Sequence, residues 1–465
     1  MLRNQVYRRY WSACTVSMFG DQVSSVAMPL TAVLVLHAQA AEMGYLTALQ
    51  WLPSLLFGLH AGVWADRRGQ RRRTMIACDA GRTLLLATIP LCFALNLLTL
   101  WQMYAVAFAA GTLSIMFNVS DGTLFISIVE PREYVDGQAL IYVSRALSFI
   151  GGPSLGGVLV QILTAPLAIV ADALSFLGSA LLLHRIRPDE PPADDGAGGA
   201  AAGLRFIAKS NVVRAALIGV AVINFFHMMF SALFLLYAVR DLHLRPGVLG
   251  IVLGIGAFGG FLGSVATKQL TRRAGMGWAC VAGCVLFTVP LALVPLAGAA
   301  HGIAVLELLM AAEFISGFGV MLLDITVGTI FAAVIPGTLR SRVTGAFQAI
   351  NYGTRPPGAL LGGLLGTVLG LHEALWIAVI GGIFGAVLIL PSPLPRFRFP
   401  QDFLSAPQAA DDTVAAAEPG ARSALREPYA AVADNVAVAA GEARPVAPAR
   451  PVAPGRIWPR DGPGG

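Results

Sequence analysis

Charge is what this chain has little of. Asp, Glu, Lys and Arg make up 12% of its 465 residues, about half the roughly 25% of a soluble globular chain. So small a supply excludes a water-exposed surface over most of the molecule, and with it a cytosolic enzyme or a disordered chain. Lysine is scarcer still. Of 32 basic residues only Lys209 and Lys268 are lysine, the bias of a high-GC bacterial genome. The five cysteines (Cys14, Cys78, Cys92, Cys280, Cys284) lie inside apolar runs without metal-ligand spacing, and their odd number argues against a disulfide framework. No H-E-x-x-H, G-x-G-D or multi-histidine pattern occurs, which removes the usual marks of an intramembrane protease or lipid-modifying enzyme. A G-x-x-x-x-G-K-[ST] loop is missing too, so ATP drive within this chain has no support.

Apolar residues fill the space that charge leaves. They make up 56% of the chain, with a mean hydropathy of +0.71. Runs long enough to span a bilayer fall near 11–35, 43–64, 74–97, 102–127, 138–162 and 165–183. After a polar stretch six more follow, near 211–238, 247–267, 277–297, 302–334, 343–368 and 371–390. They lack the alternation of barrel strands, so the expected fold is an all-α membrane protein of twelve transmembrane helices. The lipid bilayer is its first partner. The net charge of +6 does not point to nucleic acid, because the basic residues sit in short links between apolar runs. Arg3, Arg8 and Arg9, then Arg67, Arg68, Arg71, Arg72 and Arg73, then Arg132, Arg185, Arg187, Arg205, Lys209, Arg214, Lys268, Arg272, Arg273, Arg340 and Arg342 all fall on one side. The other side holds only Arg240 and Arg245. The positive-inside rule then places both termini in the cytoplasm of a bacterium, with the chain multi-pass in the inner (plasma) membrane. No cleavable signal is expected, since the first apolar run is too long and lacks a small-residue cleavage site.

The expected organisation is a six-helix bundle over 1–183, a cytoplasmic linker over 184–210, a second bundle over 211–390, and a disordered Ala/Pro-rich tail over 391–465. In that tail ARPVAP at 443–448 recurs at 449–454, too little apolar surface to offset ordering entropy. The two bundles read as a repeat. GLHAGVWADRRGQRR from Gly58 aligns with GGFLGSVATKQLTRR from Gly259, and GGPSLGG at 151–157 with PGALLGG at 357–363. Parallel repeats of this kind are a transporter architecture.

GVWADRRGQRR supplies Gly62, Asp66, Arg67, Gly69, Arg71 and Arg72. Glycines permit a tight turn, and Asp66 at a helix end can pair with a neighbouring half-bundle as a conformational latch. A positive-inside loop with a capping aspartate accounts for most of the same charges. In the second copy Thr267 replaces Asp66. The string resembles the signature loop of the major facilitator superfamily, G-x-x-x-D-R-x-G-R-R, with Gln70 as one added residue. FGDQVSSVAMPL at 19–30, VEPREYVDGQAL at 129–140, ADALSFLGSALLL at 171–183, GLRFIAKS at 203–210 and IPGTLRSRVTGAF at 335–347 resemble its macrolide-efflux and enterobactin-exporter-like branch, of drug:proton antiporter type. The resemblance covers about 8–395 and implies the major facilitator fold, two pseudo-symmetric six-helix bundles, with no cofactor, no metal and a monomer. GPSLGG, with Gly152, Pro153, Gly156 and Gly157, resembles the superfamily's antiporter element; here Ser148 stands where that pattern has an earlier Gly.

Intramembrane ionisable residues are costly and mark function. Asp21, Asp121, His227, Glu313 and Asp324 fall on the first, fourth, seventh and tenth spans, which line the central cavity in the superfamily. They are the proton-coupling candidates, Asp21 and Glu313 foremost. Asp121 and Asp324 suit a gate equally, and His227 suits a satisfied core histidine. Arg145 and Arg355 either hold an anionic substrate or neutralise acids; with Asp21, Phe117 and Phe226 they are the substrate-cavity candidates. Trp51, Phe57, Phe225 and Phe230 are further candidates for an apolar wall. Asp172 is read as an anchor of the sixth span, and Asp79 and Arg82, three residues apart, as a structural pair. The fourth span contains no Arg or Lys, unlike many antiporters of the superfamily. The expected function is a secondary active exporter, not an enzyme. It exchanges protons for a small-molecule amphipathic substrate such as an antibiotic or siderophore, by alternating access. A gradient-independent facilitator or importer is the alternative, and an intramembrane lipid-modifying enzyme a more distant one.

Overall fold

The computed structural model describes residues 4–68, 70–130, 133–186, 200–335 and 339–397. Among them there is no strand. The first half contains α1 (Gln5–Leu34), α2 (Ala40–Arg68), α3 (Arg71–Ala94), α4 (Leu100–Ile128), α5 (Tyr134–Leu163) and α6 (Ala165–His184). A short helix, α7 (Ala200–Lys209), precedes the second half: α8 (Asn211–Arg240), α9 (Pro246–Ala274), α10 (Met276–Thr288), α11 (Leu293–Leu296), α12 (Ile303–Val334), α13 (Arg340–Gly353), α14 (Arg355–Val368) and α15 (Leu371–Val387).

Eight of the described helical segments are long and apolar enough to cross a membrane. Three of the other expected spans depart from that standard for physical reasons. Arg8, Arg9 and Asp21 dilute α1, and α15 is a little short. The expected single run over 343–368 is divided at Thr354, because Pro356 and Pro357 remove two backbone donors. The run over 277–297 is one of the eight, although Pro290 and Pro295 divide it into α10, α11 and flanking 3₁₀ turns.

Helix ends are set locally. Asn4 Oδ1 caps α1 by accepting from the Val6 and Tyr7 N–H groups, and Ser210 Oγ caps α8. At their other ends α1 and α8 finish alike: His37 and His243 take positive φ, and the Ala38 and Leu244 N–H groups each donate six residues back at 2.9 Å. Packing repeats as well. In the first half α1 packs on α5 and α6, α2 on α4, and α3 on α4 and α6; in the second α8 packs on α14 and α15, α9 on α12, and α10 on α12 and α15. Two six-helix bundles of one topology result.

Two segments read as unstructured contain order. Part of the 184–210 linker is the amphipathic α7, which buries Ile207 and leans Phe206 on the core of the second half while Arg205 and Lys209 face outward. The expected tail starts with folded chain: Leu394 is buried, and the Phe397 carbonyl accepts the Gly277 N–H at 2.9 Å. The disorder expected over 398–465, and the Pro- and Asp-rich stretch of the linker at 187–199, lie outside the described residues.

Candidate functional site

The first half carries a buried ionic cluster assembled from four helices. Arg82 on α3 is 2% exposed, and its guanidinium contacts Asp79 Oδ1 one helical turn away. Two rings hold it flat: Phe176 of α6 at 3.9 Å and Phe117 of α4 at 4.6 Å from Cζ. Arg82 Nη1 also donates to Ser114 Oγ at 3.4 Å and approaches Asp21 Oδ1 of α1 at 4.0 Å. Phe117, expected on the cavity wall, is thus buried beneath this cation. Asp21 differs from its neighbours. Protein crowds it, yet its side chain is 51% exposed, against 0% for Asp79.

A third acid joins them. Asp172 on α6 is buried, and a Cβ built on Gly20 would stand 2.3 Å from its Oδ1. Glycine at 20 therefore lets the Asp172 carboxyl rest on the α1 backbone, one residue before Asp21. Ser24 Oγ is buried beside Asp172 and Ser179 Oγ beside Asp79, each able to donate to its neighbouring carboxyl. Reading along the chain treated Asp79–Arg82 as a local pair and Asp172 as an anchor; the fold makes them one site with Asp21.

The other candidates lie apart. Tyr10 Oη donates to Asp121 Oδ1 at 2.7 Å and Cys14 Sγ lies 3.6 Å away, which ties α1 to α4 nearer the end that bears the amino terminus. Arg145 is exposed on α5, 5.9 Å from the Tyr142 ring centre. Glu313 on α12 lies against α9, where a Cβ on Gly256 would stand 3.1 Å from its Oε2. Asp324 is exposed further along α12. Arg355 stacks on Trp51 at 4.0 Å and Tyr352 at 4.5 Å, joining α14 and α13 to α2 across the two halves, with Asp324 and His227 in electrostatic range. His227 packs its ring 4.7 Å from Phe287, and its Nδ1 is buried without a hydrogen-bond partner among the described residues. Phe226 fills the space over Gly381. Phe57 meets Phe108, Phe225 meets Phe226, and Phe230 stacks on Phe234.

The halves meet along two seams. In one, α5 lies on α9: a Cβ on Gly157 would stand 2.7 Å from Gly250 Cα, Ser154 Oγ donates to the Gly250 carbonyl at 3.1 Å, and the Gly247 N–H donates to Gln161 Oε1 at 3.0 Å. In the other, α2 lies on α14: a Cβ on Gly363 would stand 2.9 Å from Gly44 Cα, and the Ala41 N–H donates to Thr367 Oγ1 at 3.1 Å. Arg240 Nη1 adds a bond to Gln39 Oε1 at 2.9 Å. All these contacts lie at the end away from the start of α1 and the end of α15. Leu147 and Phe149 on α5, and Phe258 and Phe261 on α9, lie beyond these contacts toward the other end of their helices and are about half exposed. The GPSLGG element serves two interfaces, since Gly152 and Gly156 pack on Gln22 and Val23 of α1 while Gly157 packs on α9; Pro153 sits between, its carbonyl against Gly250.

Of the signature loop, Arg71 is buried at the start of α3. Arg72 Nη1 donates to the Ile186 and His184 carbonyls at the end of α6, a cation on a helix C-terminus. The side chains of Asp66 and Arg67, with Gly62 and Gly69, lie outside the described residues.

A family model, Major Facilitator Superfamily, matches residues 10–353. Multidrug efflux pump Tap of Mycobacterium tuberculosis (strain ATCC 25618 / H37Rv) is 29% identical over 396 residues, 77% of this chain and 87% of that protein. Two solved structures share the fold. A bacterial homologue of the human lysosomal transporter Spinster, inward-facing and occupied, has a TM-score of 0.67 at 14% identity, covering 86% of this chain and 98% of its own. An inward-facing bacterial homologue of the iron transporter ferroportin has a TM-score of 0.67 at 15% identity, covering 84% and 98%. With a family match over most of its length and the helical architecture described, the chain belongs to the major facilitator superfamily: it is a multi-pass membrane transporter of small molecules, not an enzyme.

Proposed function

We propose that this transporter is a proton-coupled exporter of small amphipathic compounds, working by alternating access in the bacterial inner membrane as a monomer with both termini in the cytoplasm. The observation that carries the reading is Asp21: a half-exposed carboxyl beside a buried arginine that Asp79 already occupies. A carboxyl in that position can take up a proton from the cleft or meet a polar group of the cargo, so one site answers to both. Arg82 supplies the cation that the fourth span lacks, and it does so from α3. With the termini inside, the two closed seams lie at the outer face and the structure is the inward-facing arrangement. Outward drug transport is favoured by the similarity to a protein named as a multidrug efflux pump.

The test is pH-gradient-driven flux in proteoliposomes, with amphipathic antibiotics and siderophore-like compounds as probes. Counterflow that follows the proton gradient and falls at least tenfold in Asp21→Asn supports the reading. Flux indifferent to both the gradient and the substitution would make the protein a facilitator and Asp21 a packing residue.

A further inference from the structure

We propose that the groove between the start of α8 and the end of α15 binds an anionic phospholipid, its headgroup at Arg214 and an acyl chain along Ile218 and Leu388. The groove is a cavity of about 620 Å³. One wall is the α8 stripe of Asn211, Arg214, Ala215 and Ile218, and the other is the turn after α15 around Leu388 and Pro391. Its mouth is rich in donors. Arg214 is exposed, with Nη1 donating to the Ala208 carbonyl at 2.9 Å and Nη2 to Asn211 Oδ1 at 2.8 Å. Those two bonds fix the guanidinium and leave its other N–H groups without an acceptor among the described residues. Asn211, with its oxygen turned to Arg214, presents only its NH₂ outward. Ser392 Oγ is engaged already, donating to the Ile389 carbonyl and accepting the Leu394 N–H. Because α8 begins here, its first turn adds backbone donors, of which Ser210 Oγ takes the Val213 N–H. Arg205 and Lys209 are exposed on α7 just before it. No Asp or Glu occurs between residues 200 and 240 or between 374 and 397. Such a mouth suits an anion.

Beyond the mouth the groove changes character. Ala215, Leu388 and Pro391 are apolar, Ile218 on the α8 wall is 49% exposed, and Leu390 across from α8 is 45% exposed. A span shows surfaces of that kind to hydrocarbon. The groove therefore joins a cationic mouth at a helix end to an apolar wall that runs into the bilayer, and one anionic lipid molecule carries both complements. A free phosphate would use the first alone. Basic pockets between spans take lipid headgroups in this way. α8 starts at the end where α1 starts, so with the termini in the cytoplasm, as proposed above, the lipid belongs to the inner leaflet. The site itself does not depend on that orientation or on proton coupling.

Native mass spectrometry of the full chain, titrated with phosphatidylglycerol or with phosphatidylcholine of the same acyl chains, tests the assignment. The wild type is expected to hold its first phosphatidylglycerol about fivefold more tightly than phosphatidylcholine, the contribution of one basic side chain at an anionic surface. Arg214→Gln is expected to erase that preference and leave phosphatidylcholine binding within about twofold, whereas Arg214→Lys keeps most of it. Ala215→Phe fills the groove with Arg214 in place, and is expected to weaken the first phosphatidylglycerol by about the same fivefold. Equal binding of the two lipids by the wild type overturns the proposal. A preference that survives Arg214→Gln or Ala215→Phe overturns it too. Arg214 ties α7 to α8, so Ala215→Phe decides should Arg214→Gln not fold. Glycerol 1-phosphate, which has the headgroup charge without the chains, is the last arm. It is expected to leave the lipid bound at millimolar concentration; complete displacement would make the groove a phosphate site and overturn the lipid assignment.

Discussion

The two halves share a scaffold and differ in chemistry. Gly152 and Gly156 admit α1 to α5 as Gly358 and Gly362 admit α8 to α14, and Gly157–Gly250 is matched by Gly363–Gly44. Between those shared contacts the interiors diverge. Where α3 carries Arg82 as its twelfth residue, the twelfth residue of α10 is Phe287, against whose ring His227 packs. Where α6 carries Asp172 and Ser175, α15 has Ala378 and Gly381, the latter covered by Phe226. At these equivalent places the first half keeps titratable side chains and the second has apolar ones. A repeat preserves backbone approach because close helix crossing leaves no latitude for a Cβ, while side chains away from the crossings are free to diverge.

Arg82→Leu should break this comparison most. It leaves Asp79 buried and unpaired, a loss of about 3–5 kcal/mol, seen as a lowered thermal midpoint of the purified protein and abolished flux. The double variant Arg82→Leu/Asp79→Leu should recover most of that stability and none of the gradient-driven flux, giving the first half the apolar character of the second.

The seams offer a smaller and symmetric test. Gly157→Ala and Gly363→Ala each push a Cβ to within 3 Å of the opposing backbone. Both should loosen the closed end by comparable amounts, read as faster amide exchange over 246–254 and 40–48 respectively, with transport reduced about tenfold. If one variant were silent, the seams would not be working as equivalents. They do differ further in: Trp51 of α2, seven residues past Gly44, meets Arg355, whereas Ala257 stands seven residues past Gly250 in α9. Trp51→Ala should therefore cost about 0.5–2 kcal/mol in the thermal midpoint, and Ala257→Gly less. The smallest effect is expected at His227. His227→Phe removes a buried ring nitrogen that lacks a hydrogen-bond partner among the described residues and should leave stability within about 0.5 kcal/mol and flux within twofold.

Much of the scaffold was legible in the chain. Apolar run length, the position of arginines and the paired strings GGPSLGG and PGALLGG point to helices in two related bundles, because lipid admits few other arrangements. Proline explains why two runs broke: Pro356–Pro357 and Pro290 are visible, but periodicity alone does not say where the chain yields. The site was legible only in pieces. Asp21 stood out as a lone acid, and the spacing of Asp79 and Arg82 was noticed as local. A signal that could have joined them is depth: at 1.5 Å per residue, Asp21 and Arg82 lie about 20 and 18 Å from the same end of their helices. Phe117 looked like cavity wall, since nothing in its own helix announces that an arginine from α3 lies over its ring.

Sequence by itself determined that this protein lives in lipid, spans it with helices, repeats a six-helix unit and places acids at membrane depth. Those follow from composition and local periodicity, properties of neighbours along the chain. Tertiary structure decided that α1, α3, α4 and α6 converge on one arginine, that Asp172 rests on the backbone at Gly20, and that the two glycine seams close one end. Such facts depend on which faces of distant helices meet, and that is set by side-chain packing across the whole bundle.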